Sequence, residues 1–324
     1  MKKTITAITL LLFFLTTNCQ TIKEKKNKEK YTPSVENPRK VLIGFNQNFS
    51  MMPNMNEAIY KNIQLLKPQM LRYPGGTVTH SWNWKEGVIM TRKNKSVHPI
   101  VEIKTLTDYT NADFVFVLDI LNKTLSDQIE MLTAIEKLGV EIKYIELGNE
   151  LYAQDDNYKK VFPTGKDYAL RVNEWLPELK KKFPNSKIAA LLLGRKVKES
   201  NDRMYNWNKQ VVENTINKID AYTYHIYINE NKTFEDKKSE FISVTQKANT
   251  KDKELWITEY GNNQDKSNPN YYDELTKLAD FVENYPNVTI ALNHQIIDGT
   301  KNKLTADGID FVEEGKMFLK RVNK

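Results

Sequence analysis

The sequence is poor in sulfur chemistry: of its 324 residues one, Cys19, is a cysteine, so no disulfide framework can form within the chain. It contains no run long enough to span a bilayer comfortably, because the apolar stretch from Ile5 to Leu15 has only signal-peptide length. Past residue 38 there is no Pro/Gly/Ser-rich linker and no short internal repeat, so nothing divides the remainder into separate domains. A GxGxxG turn is missing after the first apolar run, which reads Gly44-Phe45-Asn46-Gln47-Asn48, and the Gly75-Gly76 pair is not followed by lysine and Ser/Thr at P-loop spacing. Dinucleotide and nucleoside triphosphate binding therefore lack support. His80, His225 and His294 stand apart from any HExxH-type spacing, so neither a metal nor another cofactor is expected. An excess of one charge is also lacking where it would matter. Of the net charge of +7, Lys2 and Lys3 carry +2 and residues 20–30 carry +3, which leaves +2 for the globular remainder. A basic face for nucleic acid is not implied.

What is present begins with a basic start, Met1-Lys2-Lys3, and the apolar run, which ends in Leu15-Thr16-Thr17-Asn18-Cys19. In position this resembles a bacterial lipoprotein signal, although Thr16 and Asn18 stand where that pattern prefers Leu and a small Gly or Ala. Residues 1–19 are read as the signal, with Cys19 either lipidated or left as a free thiol of an ordinary secreted protein. Residues 20–38 form a charged tether too poor in apolar surface to fold, solvated or resting on anionic lipid. The expected location is the bacterial cell envelope, lipid-anchored in the periplasm or at the outer-membrane surface, or else outside the cell. Membrane contact is expected only through the anchor, and the chain is taken to act as a monomer.

From residue 39 to 324 short β-branched and aromatic runs alternate with longer amphipathic stretches, the pattern of βα units on a parallel sheet. Eight runs stand out: Val41 to Phe45, Met70 to Tyr73, Phe114 to Asp119, Ile142 to Glu150, Lys187 to Leu193, Ala221 to Tyr227, Glu254 to Glu259 and Val288 to His294. Helical periodicity marks Leu125 to Leu138, Lys166 to Lys182, Tyr271 to Asn284 and Ile309 to Val322. Eight strands, about eight helices and no glycine-rich first turn favour an α/β fold of the (β/α)8 TIM-barrel type, in one domain, over a doubly wound sheet.

In such a barrel the chemistry stands at the C-terminal ends of the strands. There the sequence places Asn46 and Asn48, Arg72, Asp119, Asn149 and Glu150, His225 and Tyr227, Glu259, and finally His294 and Gln295. Glu150 and Glu259 close apolar runs on opposite sides of the ring, the arrangement two carboxyls need to act on one sugar bond. Glu146, an even step before Glu150, reads as a buried, hydrogen-bonded carboxylate. His225 and Tyr227 share a face and contact either the sugar and nucleophile or each other's surroundings in the core. Trp82, Trp84, Tyr152 and Tyr260 either stack on sugar rings or pack within loops. Gly75-Gly76 after Pro74 allows a tight turn beneath the sugar site.

Three segments carry a resemblance. Ile145 to Glu150 (IELGNE) and Trp256 to Gly261 (WITEYG) resemble the strand-4 and strand-7 signatures of glycoside hydrolase clan A. Leu71 to Thr77 with Trp82-Asn83-Trp84 resembles the strand-2 end of its arabinofuranosidase-like members. The resemblance implies Glu150 as acid/base, Glu259 as nucleophile, Asn149 on the sugar 2-hydroxyl, Arg72 on the nucleophile, and a loop with Trp84 walling the sugar subsite. Asn46, His225, Tyr227 and Gln295 complete the expected substrate-binding set. Arg72 should keep Glu259 ionised, while burial and the nearby Glu259 should raise the pKa of Glu150. Asn293-His294-Gln295 departs from the aromatic platform common at strand 8, and no room is left for the β-sandwich many of these relatives carry. The expected activity is retaining hydrolysis of a plant or algal polysaccharide or oligosaccharide. A glycan-binding surface lipoprotein without activity and a transglycosylase using the same residues are the alternatives.

Overall fold

The computed structural model describes residues 41–90, 96–216, 219–250, 253–297 and 303–323. The signal segment, Cys19 and the tether of residues 20–38 lie outside these.

Eight parallel strands close into a barrel. They are β1 (Leu42–Asn46), β2 (Met70–Tyr73), β3 (Asp113–Leu118), β4 (Tyr144–Leu147), β5 (Lys187–Leu191), β6 (Ala221–Ile228), β7 (Glu254–Asn262) and β8 (Val288–His294), and β1 pairs with β8 to complete the ring. Outside it run α1 (Glu57–Leu65), α2 (Val101–Thr110), α3 (Leu125–Lys137), the short α4 (Asp156–Val161), α5 (Gly165–Lys182), α6 (Asp202–Asn214), α7 (Phe234–Ala248), α8 (Tyr271–Asn284) and α9 (Glu313–Val322). A small antiparallel hairpin, Trp82–Asn83 with Val88–Ile89, follows β2. The (β/α)8 architecture expected from the alternating pattern is the one observed.

Local signals set the helix starts. Thr164 with Asp167 and Thr233 with Asp236 form capping boxes that begin α5 and α7, satisfying backbone N–H groups the first turns leave open. Alternation along the strands then sorts side chains into two layers. Met70, Val115, Ala189, Ala221, Trp256, Ile290 and Leu292 fill the floor of the barrel, with the Tyr144 and Trp256 rings meeting edge to face at 5.6 Å. Burial of large apolar groups there stabilises the ring by roughly 1.5–3 kcal/mol each, and it makes the interior a plug rather than a pore. Outward residues such as Phe45, Leu71 and Tyr224 pack against the helices.

Three boundaries differ from the sequence reading in ways that matter for the site. β4 ends at Leu147, three residues short of Glu150, because Gly148 takes a φ of 93° and turns the chain out of the sheet. A Cβ at that glycine would sit 2.6 Å from Leu151 Cδ1, the end of a side chain that can shift, so it is φ above all that calls for glycine here. β6 and β7 instead run further than expected, to Ile228 and Asn262, held by the pairing of Tyr227 with Gly261 and Ile228 with Asn262. His225 and Glu259 therefore lie within strands and not at their ends. Away from the site, the last helix begins at Glu313, four residues after Ile309.

Candidate active site

Above the apolar floor the barrel mouth is polar, and Arg72 is at its centre. Its side chain is wholly buried, and its guanidinium donates from Nε to Glu146 Oε2 (2.8 Å), from Nη1 to Glu259 Oε1 (2.6 Å) and to Asn46 Oδ1 (3.3 Å), and from Nη2 to Asn149 Oδ1 (2.9 Å). One planar fork thus ties β1, β2, β7 and the turn after β4 together, which a lysine's point charge could not do. Glu146 is the buried, hydrogen-bonded carboxylate expected, and it also accepts from Thr258 Oγ1 at 3.0 Å.

Glu259 owes its direction to a β-bulge. Against β6, Ile257 pairs with Tyr224 but Glu259 with His225, and against β8, Ile257 pairs with Ala291 but Tyr260 with Asn293. β7 therefore carries one extra residue at Thr258–Glu259, and both side chains turn inward, breaking the alternation. Glu259 accepts from Tyr227 Oη (2.6 Å) on one oxygen and from Arg72 on the other. His225 Nδ1 lies 3.5 Å and His294 Nδ1 3.8 Å from it. Burial alone would raise its pKa. The positive charges of His225, His294 and Arg72, with the Tyr227 hydrogen bond, outweigh that and hold it at about 2. Gly76 is part of the same fit, since a Cβ there would lie 2.7 Å from Glu259 Oε1.

Glu150 has a different setting. Its backbone adopts φ 46°, a left-handed conformation uncommon for a residue with a side chain and costing about 1–3 kcal/mol. The side chain is 36% exposed against 8% for Glu259. Its Oε1 takes hydrogen bonds from Tyr152 Oη (3.1 Å) and meets His225 Nδ1 at 2.9 Å. The expected rise in its pKa is not what the structure gives. Burial and Glu259 push upward, but the hydrogen bond and charge of His225, with help from Tyr152, bring the carboxyl below its usual value. His225 moves the opposite way: burial would lower it, yet Glu259 and Glu150 together raise it above 6.5.

The tautomer of His225 follows from its other contact. Nε2 lies 3.2 Å from Thr258 Oγ1, whose single hydroxyl proton goes to Glu146. Thr258 must therefore accept from Nε2–H, which leaves Nδ1 to share a proton with Glu150.

Of the residues singled out in sequence, Arg72, Asn46, Asn149, Glu150, His225, Tyr227 and Glu259 come together in this one network. Trp84 and Gln295 do not join it. The Trp84 ring is buried in the hairpin with the Lys85 ammonium 5.1 Å away, and Gln295 is buried with its Oε1 unpaired. Trp82 packs instead against Tyr73, to which its indole N–H donates, and Tyr260 faces the helix layer, where Glu283 and Arg321 act on its phenol. Thr258 was not anticipated; Tyr152, expected to stack on a sugar or pack in a loop, instead hydrogen-bonds Glu150, and His294, placed at the end of the eighth strand without a role, meets Asn46 Nδ2 at 2.6 Å through Nδ1. His80 bridges Asp119 and the Asn149 carbonyl and so steadies the turn that carries Glu150. Thr258 was out of reach of sequence logic, because alternation points it away from Glu259.

Glu150, His225 and Glu259 each place an atom within 4.8 Å of the others, a spacing that can hold a cation. The donors are otherwise engaged. Both His225 nitrogens have partners, and the Arg72 guanidinium already neutralises Glu259.

Comparison with known proteins gives the constellation its context. Residues 171–298 match the family described as glycosyl hydrolase catalytic core. No curated protein matches the sequence. Among solved structures, a family 51 α-L-arabinofuranosidase from Bifidobacterium longum superposes with a TM-score of 0.61 at 15% identity, over 82% of this chain and 68% of that one. A family 128 endo-β-1,3-glucanase from Sorangium cellulosum gives 0.54 at 12% identity, over 86% of this chain and 97% of that one. A fungal β-1,4-galactanase gives 0.54 at 11% identity, over 85% and 98%. At such identities the likeness is one of fold, and the chain spans about two thirds of the arabinofuranosidase. The family match over residues 171–298 supports a glycoside hydrolase, and these glycosidases share the barrel of this chain.

Proposed function

We propose that the chain is a retaining glycoside hydrolase in which Glu259 attacks the anomeric carbon and Glu150 protonates the leaving oxygen, then activates water against the glycosyl-enzyme. The observation that carries this reading is the approach of the two carboxylates, whose nearest oxygens lie within 4.8 Å, in unlike surroundings. A separation near ~5 Å suits double displacement, whereas roughly 6.5–9.5 Å leaves room for the water of an inverting enzyme. Glu259, clamped by Arg72 and Tyr227 and held at about 2, is ionised at any working pH, as a nucleophile must be. With its carbonyl oxygen occupied by Arg72 and one amide N–H directed at Thr77 Oγ1 (3.5 Å), Asn149 has its other N–H to offer the sugar 2-hydroxyl.

The acid's proton is shared between Glu150 and His225, so the pair, and not the carboxyl alone, sets the pH at which it is lost. The alkaline limb of kcat/KM is expected above pH 6.5, following the raised His225. In His225→Phe it is expected to move to lower pH, towards the carboxyl range, because Glu150 must then hold the proton unaided. A limb that stays in place in pH profiles of the two proteins removes His225 from this role.

The substrate proposed is a plant or algal polysaccharide or oligosaccharide, met at the cell envelope by a lipid-anchored or secreted protein. The test is to incubate the protein with a panel of aryl glycosides and plant and algal oligosaccharides and follow the newly formed anomer by proton NMR. Retention of configuration is the expected result. Inversion refutes the double displacement, and binding without turnover on every substrate replaces the hydrolase with a capture protein.

A further inference from the structure

Glu150 opens into a cavity of ~240 Å³ whose walls also include Tyr152, His225, Tyr227, Arg195 and Lys237. Two cations in a pocket built for sugars need partners, and only one has them. Lys237 is buried and paired with Glu240 Oε2 at 2.5 Å. Arg195 has neither an ion pair nor a hydrogen bond among the described residues, and it is the one described arginine of which this is true. Arg72, Arg171 and Arg321 are matched by carboxylates, and Arg203 by the carbonyls of Leu151, Tyr152, Ala153 and Phe162.

The segment that carries Arg195 is firmly held. Leu193 exchanges two hydrogen bonds with the Asn208 side chain on α6 (2.7 and 2.9 Å), and Lys196 N–H donates to Glu240 Oε1 on α7 (2.6 Å). Between these clamps Gly194 passes so close to β6 that a Cβ would lie 2.2 Å from the carbonyl oxygen of His225. An exposed arginine on a mobile loop would be a solvated surface charge. Arg195 is itself exposed, but its backbone is fixed between these clamps, and its side chain lines the cavity beside Tyr152, Glu150 and His225 with no ion pair or hydrogen bond to its guanidinium among the described residues.

From this arrangement we propose that Arg195 is a specificity-determining residue that binds an anionic substituent, a carboxylate or a sulfate ester, on the sugar lying beside Glu150, so that the preferred substrate is an acidic glycan. The proposal rests on the glycosidase reading for its placement. Glu150 is the group that protonates the leaving oxygen, so the sugar nearest it and Arg195 is the one being released. A guanidinium forks two hydrogen bonds onto either anion. An advantage of about tenfold to a hundredfold over the neutral sugar is expected from such a contact.

The test uses the Glu150→Gln protein, in which turnover is blocked, and calorimetric titration with matched ligands: galactotriose, trigalacturonate and 6-sulfated galactotriose, and xylotetraose with and without a glucuronate branch. At least one acidic ligand is expected to bind tenfold or more tighter than its neutral counterpart, and the identity of that ligand separates carboxylate from sulfate. In Glu150→Gln with Arg195→Gln the difference is expected to vanish, with thermal unfolding unchanged. Equal affinity within each set, no binding of any acidic ligand, or an acidic preference that survives Arg195→Gln overturns the proposal. Turnover by the wild type is scored separately on the same ligands. Acidic preference through Arg195 without cleavage would remove the hydrolase reading and leave this one, and cleavage with no acidic preference would do the reverse.

Discussion

Replacing Glu259 with Gln is expected to lower kcat/KM by about four orders of magnitude or more on whatever substrate the wild type cleaves. The amide keeps the shape of the side chain and can still accept from Arg72, but it cannot attack an anomeric carbon. Glu259→Ala, given azide as an external nucleophile, should form a glycosyl azide of inverted configuration, and Glu150→Ala one of retained configuration. The leaving group adds a second discriminator. Loss of Glu150 should matter little to the first step for an activated aryl glycoside and a great deal for a natural sugar, whereas loss of Glu259 should matter equally for both. Steady-state rates on one activated and one unactivated substrate, with the azide products assigned by NMR, check the pair of roles together. Identical leaving-group dependence in the two variants would contradict the assignment.

Arg72→Met is expected to cost about 3–5 kcal/mol of stability, because it leaves Glu146 and Glu259 buried without their common cation. Equilibrium unfolding in urea measures this directly. The deficit should depend on pH in a stated direction. The Glu259 pKa is depressed from 4.5 to about 2, so its contribution is fully present above 4.5 and is lost as pH falls through 2. Without Arg72 the depression is smaller, and the stabilities of the two proteins should converge between pH 4.5 and 2. A deficit that stays constant across that range would place the damage in packing and not in charge. Pairing Arg72→Met with Glu146→Gln should recover part of the loss, since one of the stranded charges is then gone.

Much of this was legible in the sequence because barrel geometry converts strand order into position. A glutamate after IELGN and another within WITEYG must stand across the ring from each other once eight strands close, and Arg72, an even step from the inward-facing Met70, must point into the mouth, where it meets Glu259. The parts that escaped share one cause: alternation assumes an unbroken strand. The bulge that turns both Thr258 and Glu259 inward, and the Gly148 turn that gives Glu150 its left-handed backbone, are local departures from the repeat. The direction of the Glu150 pKa escaped as well, since it depends on which nitrogen of His225 faces it, and that is fixed by Thr258 and Glu146 from a neighbouring layer. Arg195, in the run Leu192-Leu193-Gly194-Arg195-Lys196, reads as an ordinary solvated charge until the clamps on either side of it are seen.

The extra residue in β7 has a consequence for anyone transplanting this site. A residue-for-residue graft onto a barrel whose seventh strand is regular would advance the frame by one position after Ile257. Tyr260 would then face the mouth and Glu259 the helices, leaving a protein that folds, binds sugar and lacks its nucleophile, although every letter of the motif had been copied.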